Sequence, residues 1–253
     1  MHILIKISRK IKANFIKFYF HLFFEPFSKI LMTIIYLSRL SKWIKKTPMP
    51  EFNDFYSKKH DYNKRYELYD HIKKSEKLSK IYYLEFGVAQ GNSFKWWINN
   101  IIDKNSKFVG FDTFTGLPED WGYFKKGDMS AKDSFPEIDD KRCQFIKGLF
   151  QVTLPPFLKE FKSDLRKVIH MDADIYNSTL FALTMMGSHL NKDDILIFDE
   201  FNVPLHEYKA FSEFIDSYHL KVEVIGAVNN YYQIAFKIIE NLSCVDKANL
   251  YYS

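Results

Sequence analysis

The sequence has few cysteines and no long apolar run, and each absence excludes a class of protein. Two cysteines in 253 residues, Cys143 and Cys244, provide neither a disulfide framework nor a cluster with metal-ligand spacing, so a reducing, cytoplasmic environment is favoured over export. The uncharged stretches 18–24 and 30–38 fall well short of the roughly 18 to 20 apolar residues that a transmembrane helix needs. No small-residue cleavage site follows them, which disfavours a signal peptide.

The composition is that of a globular protein. Hydrophobic residues make up 47% of the chain and charged residues 26%, which excludes intrinsic disorder. A length of 253 residues suits one domain with an extension and is too short for two large domains. We therefore expect a single buried core.

The charge is distributed unevenly along the chain. The first 46 residues contain ten Lys or Arg and one acidic residue, Glu25, for a net +9, whereas the remainder contains 26 basic and 30 acidic residues, for a net −4. Because the basic surface is confined to a terminal segment, the pattern argues against nucleic-acid binding by the domain. A basic terminal segment favours a polyanion or a membrane as its partner.

The basic segment has a helical pattern. Within residues 3–22 apolar side chains recur at steps of three and four with basic residues opposite, which predicts an amphipathic helix, and Pro26 should interrupt it before a second apolar stretch at 30–37. Two interpretations are open. In the first, residues 1–46 lie on the anionic surface at the inner face of a membrane. In the second, they pack on the domain or on a second subunit, and the second subunit would make the protein a homodimer.

We divide the chain into a basic helical extension, residues 1–50, and a domain, residues 51–253, whose core spans about 81–239. In this core, short apolar runs alternate with helix-length segments, which predicts a doubly wound α/β fold with a mostly parallel sheet. The predicted strands are 81–86, 108–111, 144–146, 167–171 and 195–198, followed by a final pair at 221–225 and 232–237. Ligands of such sheets bind at the carboxyl ends of the strands.

The first two predicted strands end in residues that suit a nucleoside cofactor. A bend containing Gly87 and Gly91 follows the first strand, with G-x-x-x-G spacing instead of the G-x-G-x-x-G of a dinucleotide site. Asp112 closes the second strand, 21 residues beyond Gly91, where a carboxylate accepts hydrogen bonds from ribose hydroxyls. A carboxylate repels a 2′-phosphate, so NAD and S-adenosylmethionine remain as candidates and NADP does not.

Acidic residues close the fourth and fifth predicted strands. Asp172 and Asp174 follow the fourth, and Asp199 and Glu200 follow the fifth. Carboxylates that converge at neighbouring strand ends repel one another unless a cation balances them, and oxygen-only ligands suit Mg²⁺. Any one of these acids could instead cap the next helix. Two histidines, His170 and His206, are alternatives to a carboxylate as the general base.

Five motifs in this order resemble those of the macrocin O-methyltransferase-like family, class I S-adenosylmethionine-dependent enzymes that methylate sugar hydroxyls. The resemblance covers about residues 60–240 and rests on Glu85-Phe-Gly-Val-Ala-Gln-Gly91-Asn-Ser93, Phe111-Asp112-Thr-Phe-Thr-Gly116-Leu-Pro118-Glu119-Asp-Trp121, Lys147-Gly148-Leu-Phe150-Gln-Val-Thr153-Leu-Pro155, His170-Met-Asp172-Ala-Asp174-Ile-Tyr176-Asn-Ser178-Thr179 and Phe198-Asp199-Glu200. It implies a seven-stranded Rossmann-like methyltransferase sheet.

The resemblance also implies roles for individual residues. Those expected at S-adenosylmethionine are Glu85, Gly87 and Gly91 at the methionine part, Asp112 at the ribose, and Gly148, Phe150 and Gln151 at the adenine; we add Ser93 and Thr113 from the same motifs. A Mg²⁺ site of Asp172, Asp199 and Glu200 is implied, with Asp172 doubling as the base. Apart from the resemblance, we keep His206 as the alternative catalytic residue. The chain departs from the family at Val152, where an acidic residue is common, and at Glu200, where a second Asp is common.

The leading interpretation is therefore an S-adenosylmethionine-dependent, Mg²⁺-assisted O-methyltransferase that acts on a sugar hydroxyl of a nucleotide-linked, lipid-linked or natural-product glycan, as in polysaccharide biosynthesis. Residues 113–121 are expected to form a lid over the reacting methyl group. One alternative is an NAD-dependent sugar oxidoreductase, although the middle glycine of its motif is missing and no Tyr-x-x-x-Lys pair lies near the fourth predicted strand. The other is a non-catalytic scaffold at the membrane surface, which would gain nothing from clustered acids.

Overall fold

A computed structural model describes residues 2–120 and 123–241, and within them one seven-stranded sheet organises the chain. Its strands are β1 (Ile81–Phe86), β2 (Lys107–Asp112), β3 (Cys143–Lys147), β4 (Arg166–Met171), β5 (Ile195–Phe198), β6 (Leu220–Val228) and β7 (Gln233–Asn241). Two residues named from the sequence, Trp121 of the expected lid and Cys244, lie outside the described residues.

The sheet has the order β3-β2-β1-β4-β5-β7-β6, and only β7 runs antiparallel to its neighbours. The predicted doubly wound, mostly parallel α/β fold is thus confirmed. Phe86 at the end of β1 pairs with Phe111 in β2 and with Met171 in β4. Because these strands end level with one another, the loops that follow them meet at one edge of the sheet.

The helices, in chain order, are α1 (His2–Lys17), α2 (His21–Phe24), α3 (Ser28–Lys46), α4 (Lys64–Ser75), α5 (Asn92–Asn100), α6 (Phe150–Glu160), α7 (Tyr176–Met186) and α8 (Glu207–Tyr218). Those from α3 onwards cover both faces of the sheet, whereas α1 and α2 are exposed. One core contains buried side chains of α4 and α5, and the other contains those of α6, α7 and α8. Strands buried on both faces are apolar without alternation, as the run Ile195–Phe198 illustrates.

The extension is divided between two environments. In the second half of α3, Trp43 packs against Phe201, Phe211 and Phe236 with ring centroids 5.3–6.3 Å apart, and the Tyr36 hydroxyl donates to Glu213. This half therefore belongs to the core of the domain, as the packing interpretation predicts. The residues before Tyr36 are almost all exposed.

No single helix among the described residues is long and apolar enough to cross a membrane. Among the described residues, one pair of helical segments, Ile3–Lys17 and His21–Lys46, has the necessary length and composition when the two are taken together. The two segments are bent by 77° relative to each other.

The connector between α3 and α4 packs against the end of β6 and the turn that joins β6 to β7. The backbone carbonyl of Phe52 accepts a hydrogen bond from Ala227, and the Phe52 ring stacks on His71 with centroids 4.5 Å apart. Asn229 donates its side-chain amide to the carbonyl of Asp61. These contacts fix the start of α4 beside the edge at which the strands end.

One arginine, directly before β3, holds the end of α5. The Arg142 guanidinium donates to the carbonyls of Ile98, Ile101 and Asp103, of which the first lies 2.8 Å away, and it pairs with Asp140 at 2.7 Å. The last carbonyls of a helix have no partner within the helix, so a side-chain donor satisfies them.

We expect Arg142→Ala to lower the free energy of unfolding by about 2 kcal/mol, because it leaves these carbonyls unpaired. Urea unfolding followed by circular dichroism measures the change. Lys141→Ala, at the exposed neighbouring position, is the control and should have little effect. Equal stability of the Arg142 variant and the native chain would contradict the assigned role.

Candidate active site

A cavity of about 400 Å³ opens at the edge where β1, β2, β4 and β5 end. Its wall contains most of the site residues predicted from the sequence: Glu85, Gly87, Ser93, Asp112, Thr113, Phe150, Gln151, Asp172 and Glu200. Four others, Gly91, Gly148, Asp199 and His206, are not part of the wall. The volume suits a small organic cofactor.

The bend after β1 lies too close to β4 for any residue but glycine. A Cβ atom on Gly87 would lie 1.7 Å from the carbonyl oxygen of Asp172, and the backbone φ of Gly87 is +92°. Gly91 adopts φ +74° directly before α5, where the left-handed conformation again favours glycine. The two glycines thus let the bend pass beside Asp172 and start a helix whose first two residues, Asn92 and Ser93, line the cavity.

The carboxylate of Asp112 is held by backbone donors of two loops. One of its oxygens accepts hydrogen bonds from the N–H groups of Val88 and Ala89, both at 2.7 Å, and the other accepts from Phe114 at 2.6 Å. The Thr113 hydroxyl donates to the carbonyl of Gly116 at 2.8 Å. Asp112 is therefore fixed at the cavity wall, and its remaining lone pairs can accept ribose hydroxyls.

The residues expected near the adenine differ in how they act. Phe150 begins α6 and lines the cavity, with its ring 5.4 Å from that of Phe86 and nearly perpendicular to it. Gln151 also lines the cavity and is exposed. Gly148 lies outside the wall, where its N–H donates to the carbonyl of Asp112 at 2.9 Å. Gly148 therefore supports the cavity indirectly, because it joins the loop after β3 to the end of β2.

Three carboxylates meet at the ends of β4 and β5. Asp172, Asp174 and Glu200 each offer one oxygen, and these oxygens lie within 4.8 Å of one another. This set differs in one member from the predicted metal ligands Asp172, Asp199 and Glu200. The carboxylate of Asp199 instead accepts hydrogen bonds from the Tyr62 hydroxyl and, at 3.4 Å, from Arg65.

The acids at this edge outnumber the cations. Burial and the neighbouring carboxylates raise the pKa of Asp172 and Glu200 well above their usual range, and they raise the pKa of Asp174 to about 7. Arg65 is the one cationic side chain in the cavity wall among the described residues. One oxygen of Glu200 is buried and accepts no hydrogen bond from the described part of the chain. The cluster therefore fits a divalent cation.

Sequence reasoning did not identify Tyr62 and Arg65, the wall residues that approach Asp199. Both precede the first strand, so no strand-end motif contains them, and the Arg65 guanidinium lies 4.0 Å from the centre of the Tyr62 ring. Asp174 does belong to a quoted motif, the Asp-Ala-Asp-Ile-Tyr run, but was not selected as a ligand. Only the folded chain shows that α4 brings Arg65 to the end of β5.

The two histidines considered as bases lie away from the cavity wall. His170 is fully buried, with Nδ1 2.9 Å from the Tyr83 hydroxyl, and burial lowers its pKa to about 3. It is a packing residue. His206 precedes α8 and is half-buried, and burial and then the charge of Lys29 lower its pKa.

This sheet order, with a glycine bend after β1 and a carboxylate at the end of β2, belongs to the Rossmann-like methyltransferase class. The sequence model of TylF, macrocin O-methyltransferase, matches residues 102–233, which is more than half of the chain. The chain belongs to this family and is an S-adenosylmethionine-dependent O-methyltransferase. The alternatives of an oxidoreductase and a scaffold are thereby set aside. No curated protein sequence matches the chain.

Solved structures agree on the fold. CalS11, a calicheamicin methyltransferase, superposes with a TM-score of 0.52 at 20% sequence identity, over 81% of this chain and 91% of that chain. The O-methyltransferase NovP superposes with a TM-score of 0.52 at 14% identity, over 83% of this chain and 99% of that chain. At such identities the likeness establishes the fold alone.

We expect Asp112→Ala to weaken binding of S-adenosylhomocysteine at least about tenfold, because it removes a charged acceptor and releases the bend after β1. Isothermal titration of the purified chain measures the dissociation constant. Asp164→Ala, at an exposed position on the loop before β4, is the matched control and should leave the constant unchanged. Equal affinity of the Asp112 and Asp164 variants would refute the assignment.

Proposed function

We propose that this chain methylates a sugar hydroxyl and that a Mg²⁺ ion held by Asp172, Asp174 and Glu200 assists the transfer. The observation that carries the proposal is the convergence of these three carboxylates at the wall of the cavity, within 4.8 Å of one another. S-adenosylmethionine supplies the methyl group.

The donor set fits a hard divalent cation. Carboxylate oxygens are the ligands that Mg²⁺ prefers, and a buried Glu200 oxygen that receives no hydrogen bond from the described residues is suited to a metal. When bound, Mg²⁺ would offset the excess negative charge and lower the pKa of a coordinated hydroxyl. Asp199 would not be a ligand of the ion, since Tyr62 and Arg65 hold its carboxylate.

We assign the proton transfer to Asp172. S-adenosylmethionine would supply the methyl group and leave as S-adenosylhomocysteine, and the Asp172 carboxylate would accept the proton of the hydroxyl that is methylated. Asp172 lines the cavity and follows the strand that pairs with β1, so it lies beside the glycine bend. Leu117 and Pro118 of the segment after β2 also line the cavity and would exclude water from it.

A sugar acceptor is supported by the surroundings of Glu200 as well as by the family. The Tyr232 hydroxyl donates to Glu200 at 3.3 Å, and the rings of His60 and Tyr62 lie 5.0 and 6.5 Å from that of Tyr232. A sugar presents hydroxyls that carboxylates can accept and flat C–H faces that pack on aromatic rings. This combination of groups suits such a molecule better than an apolar alcohol.

We expect Asp174→Asn to weaken Mg²⁺ binding at least about tenfold while leaving S-adenosylhomocysteine affinity within about twofold, because it removes one anionic ligand outside the cofactor contacts. Titration calorimetry with Mg²⁺ alone and with S-adenosylhomocysteine alone measures both constants. Asp193→Asn, an exposed acid before β5, serves as the control. Unchanged Mg²⁺ affinity in the Asp174 variant would exclude it from the ligand set.

The role of Asp172 is tested against that of His206. We expect Asp172→Asn to lower kcat by about 100-fold or more, since a positioned base contributes that much, and chelation of Mg²⁺ to abolish turnover reversibly. The assay follows transfer of a labelled methyl group to a panel of nucleotide-linked and free sugars. A similar loss in His206→Asn with full activity in Asp172→Asn would transfer the role to the histidine, and labelling of no sugar would overturn the proposed acceptor class.

A further inference from the structure

The first part of the chain exposes an apolar surface that the domain does not cover. We call residues 3–35 the N-terminal arm. The exposed fraction is 73% for Ile3, 74% for Ile16 and 72% for Leu22, and large apolar side chains between and after them are likewise exposed. Lone exposed apolar residues are common on proteins, but a continuous surface of this kind marks an interaction site.

The apolar surface continues onto the outer face of α3. Tyr36 and Leu40 are buried on the side that faces the domain. At 3.6 residues per turn, Ile30, Ile34 and Leu37 project from the other side, and their exposed fractions are 62%, 56% and 47%. Packing on the domain therefore accounts for one face of α3 and leaves the other apolar face open.

The bend between α1 and α3 is formed by aromatic rings. Phe15 stacks on Phe24 with centroids 5.6 Å apart, and Phe23 contacts Phe24 and Phe27 at 5.1 and 6.5 Å. These contacts hold the two helices at 77° to each other, so that their apolar faces can meet one surface without either helix crossing it.

The charge of the N-terminal arm indicates which partner its apolar surface binds. On α1 the basic residues Lys6, Arg9 and Lys10 lie opposite the apolar stripe of Ile7, Ile11 and Phe15, a distribution typical of helices that lie in a membrane interface. With ten basic residues and one acid in residues 1–46, a second copy of the chain would bring a like charge to the same contact. We infer that the N-terminal arm binds the surface of an anionic lipid bilayer, with its apolar side chains inserted and its basic side chains at the headgroups.

The arm ends close to residues that follow the cavity wall. Directly after the arm, the Tyr36 hydroxyl donates to Glu213 at 2.9 Å, and the Tyr176 hydroxyl donates to the same carboxylate at 2.6 Å. Tyr176 follows Asp174, which lines the cavity, by two residues. A bilayer bound by the arm would lie near the cavity mouth. If the proposed function holds, on which this one step rests, the acceptor sugar is presented at the membrane on a lipid carrier.

Vesicle flotation of the full chain tests the inference. We expect the chain to float with vesicles that contain about 30% phosphatidylglycerol and to float less with phosphatidylcholine alone. Replacing Lys6, Arg9, Lys10 and Lys12 with Gln should lower the partition coefficient of the chain onto these vesicles at least about tenfold, since each basic residue near an anionic surface contributes to the free energy of binding. Replacement of Lys77, Lys80, Lys104 and Lys107, exposed on the domain, is the charge-matched control and should not.

The apolar contribution is tested separately. Ile30→Gln with Ile34→Gln leaves the charge unchanged and should also lower binding, because it removes side chains that insert; Ile102→Gln, on an exposed domain residue, should not. Absence of flotation, or equal loss in the arm and control variants, overturns the inference. So does a stable dimer in lipid-free buffer, measured by analytical ultracentrifugation, if Ile30→Gln with Ile34→Gln dissociates it. Flotation requires no methyl transfer, so its result is independent of the proposed function.

Discussion

The constraint on which the site depends is the level ending of parallel strands. Strands β1, β2 and β4 end together, with Phe86 paired to both Phe111 and Met171, so the residues that follow them meet at one edge whatever their separation in sequence. In this chain a glycine bend follows β1, whereas Asp112 closes β2 and acidic residues follow β4 and β5. Burial, and after it the repulsion between neighbouring carboxylates, raises the pKa of Asp172 and Glu200, so their ionised forms would oppose folding unless positive charge is supplied.

Part of that charge comes from the segment before the first strand. Arg65 approaches Asp199 from α4 and packs on the ring of Tyr62, which also donates to Asp199. The connector that carries Tyr62 is in turn tied to the turn between β6 and β7 through Asn229. The cavity thus has one wall made by strand ends and another made by chain that folds back from the N-terminus, and the remaining excess of carboxylates is what suits it to a cation.

The N-terminal helices lie in two environments, one inside the core of the domain and one outside it. Trp43 sits among Phe201, Phe211 and Phe236, so the second half of α3 is as much a part of the core as any central helix. The first half and α1 have no such partner and combine apolar and basic faces. The two interpretations suggested by the sequence, packing on the domain and lying on a membrane, therefore apply to successive parts of one segment, the first as observed and the second as inferred.

Local patterns determined much of this structure. Apolar runs bounded by turns identified all seven strands to within a few residues, and the glycine bend and Asp112 identified the cofactor side of the cavity, because strand burial and turn chemistry depend on neighbouring residues. The sequence alone did not determine which acids form the cluster. Asp199 pairs with Arg65, 134 residues away, and Asp174 takes its place beside Glu200, because packing of α4 and the direction of each side chain at a strand end are properties of the folded chain.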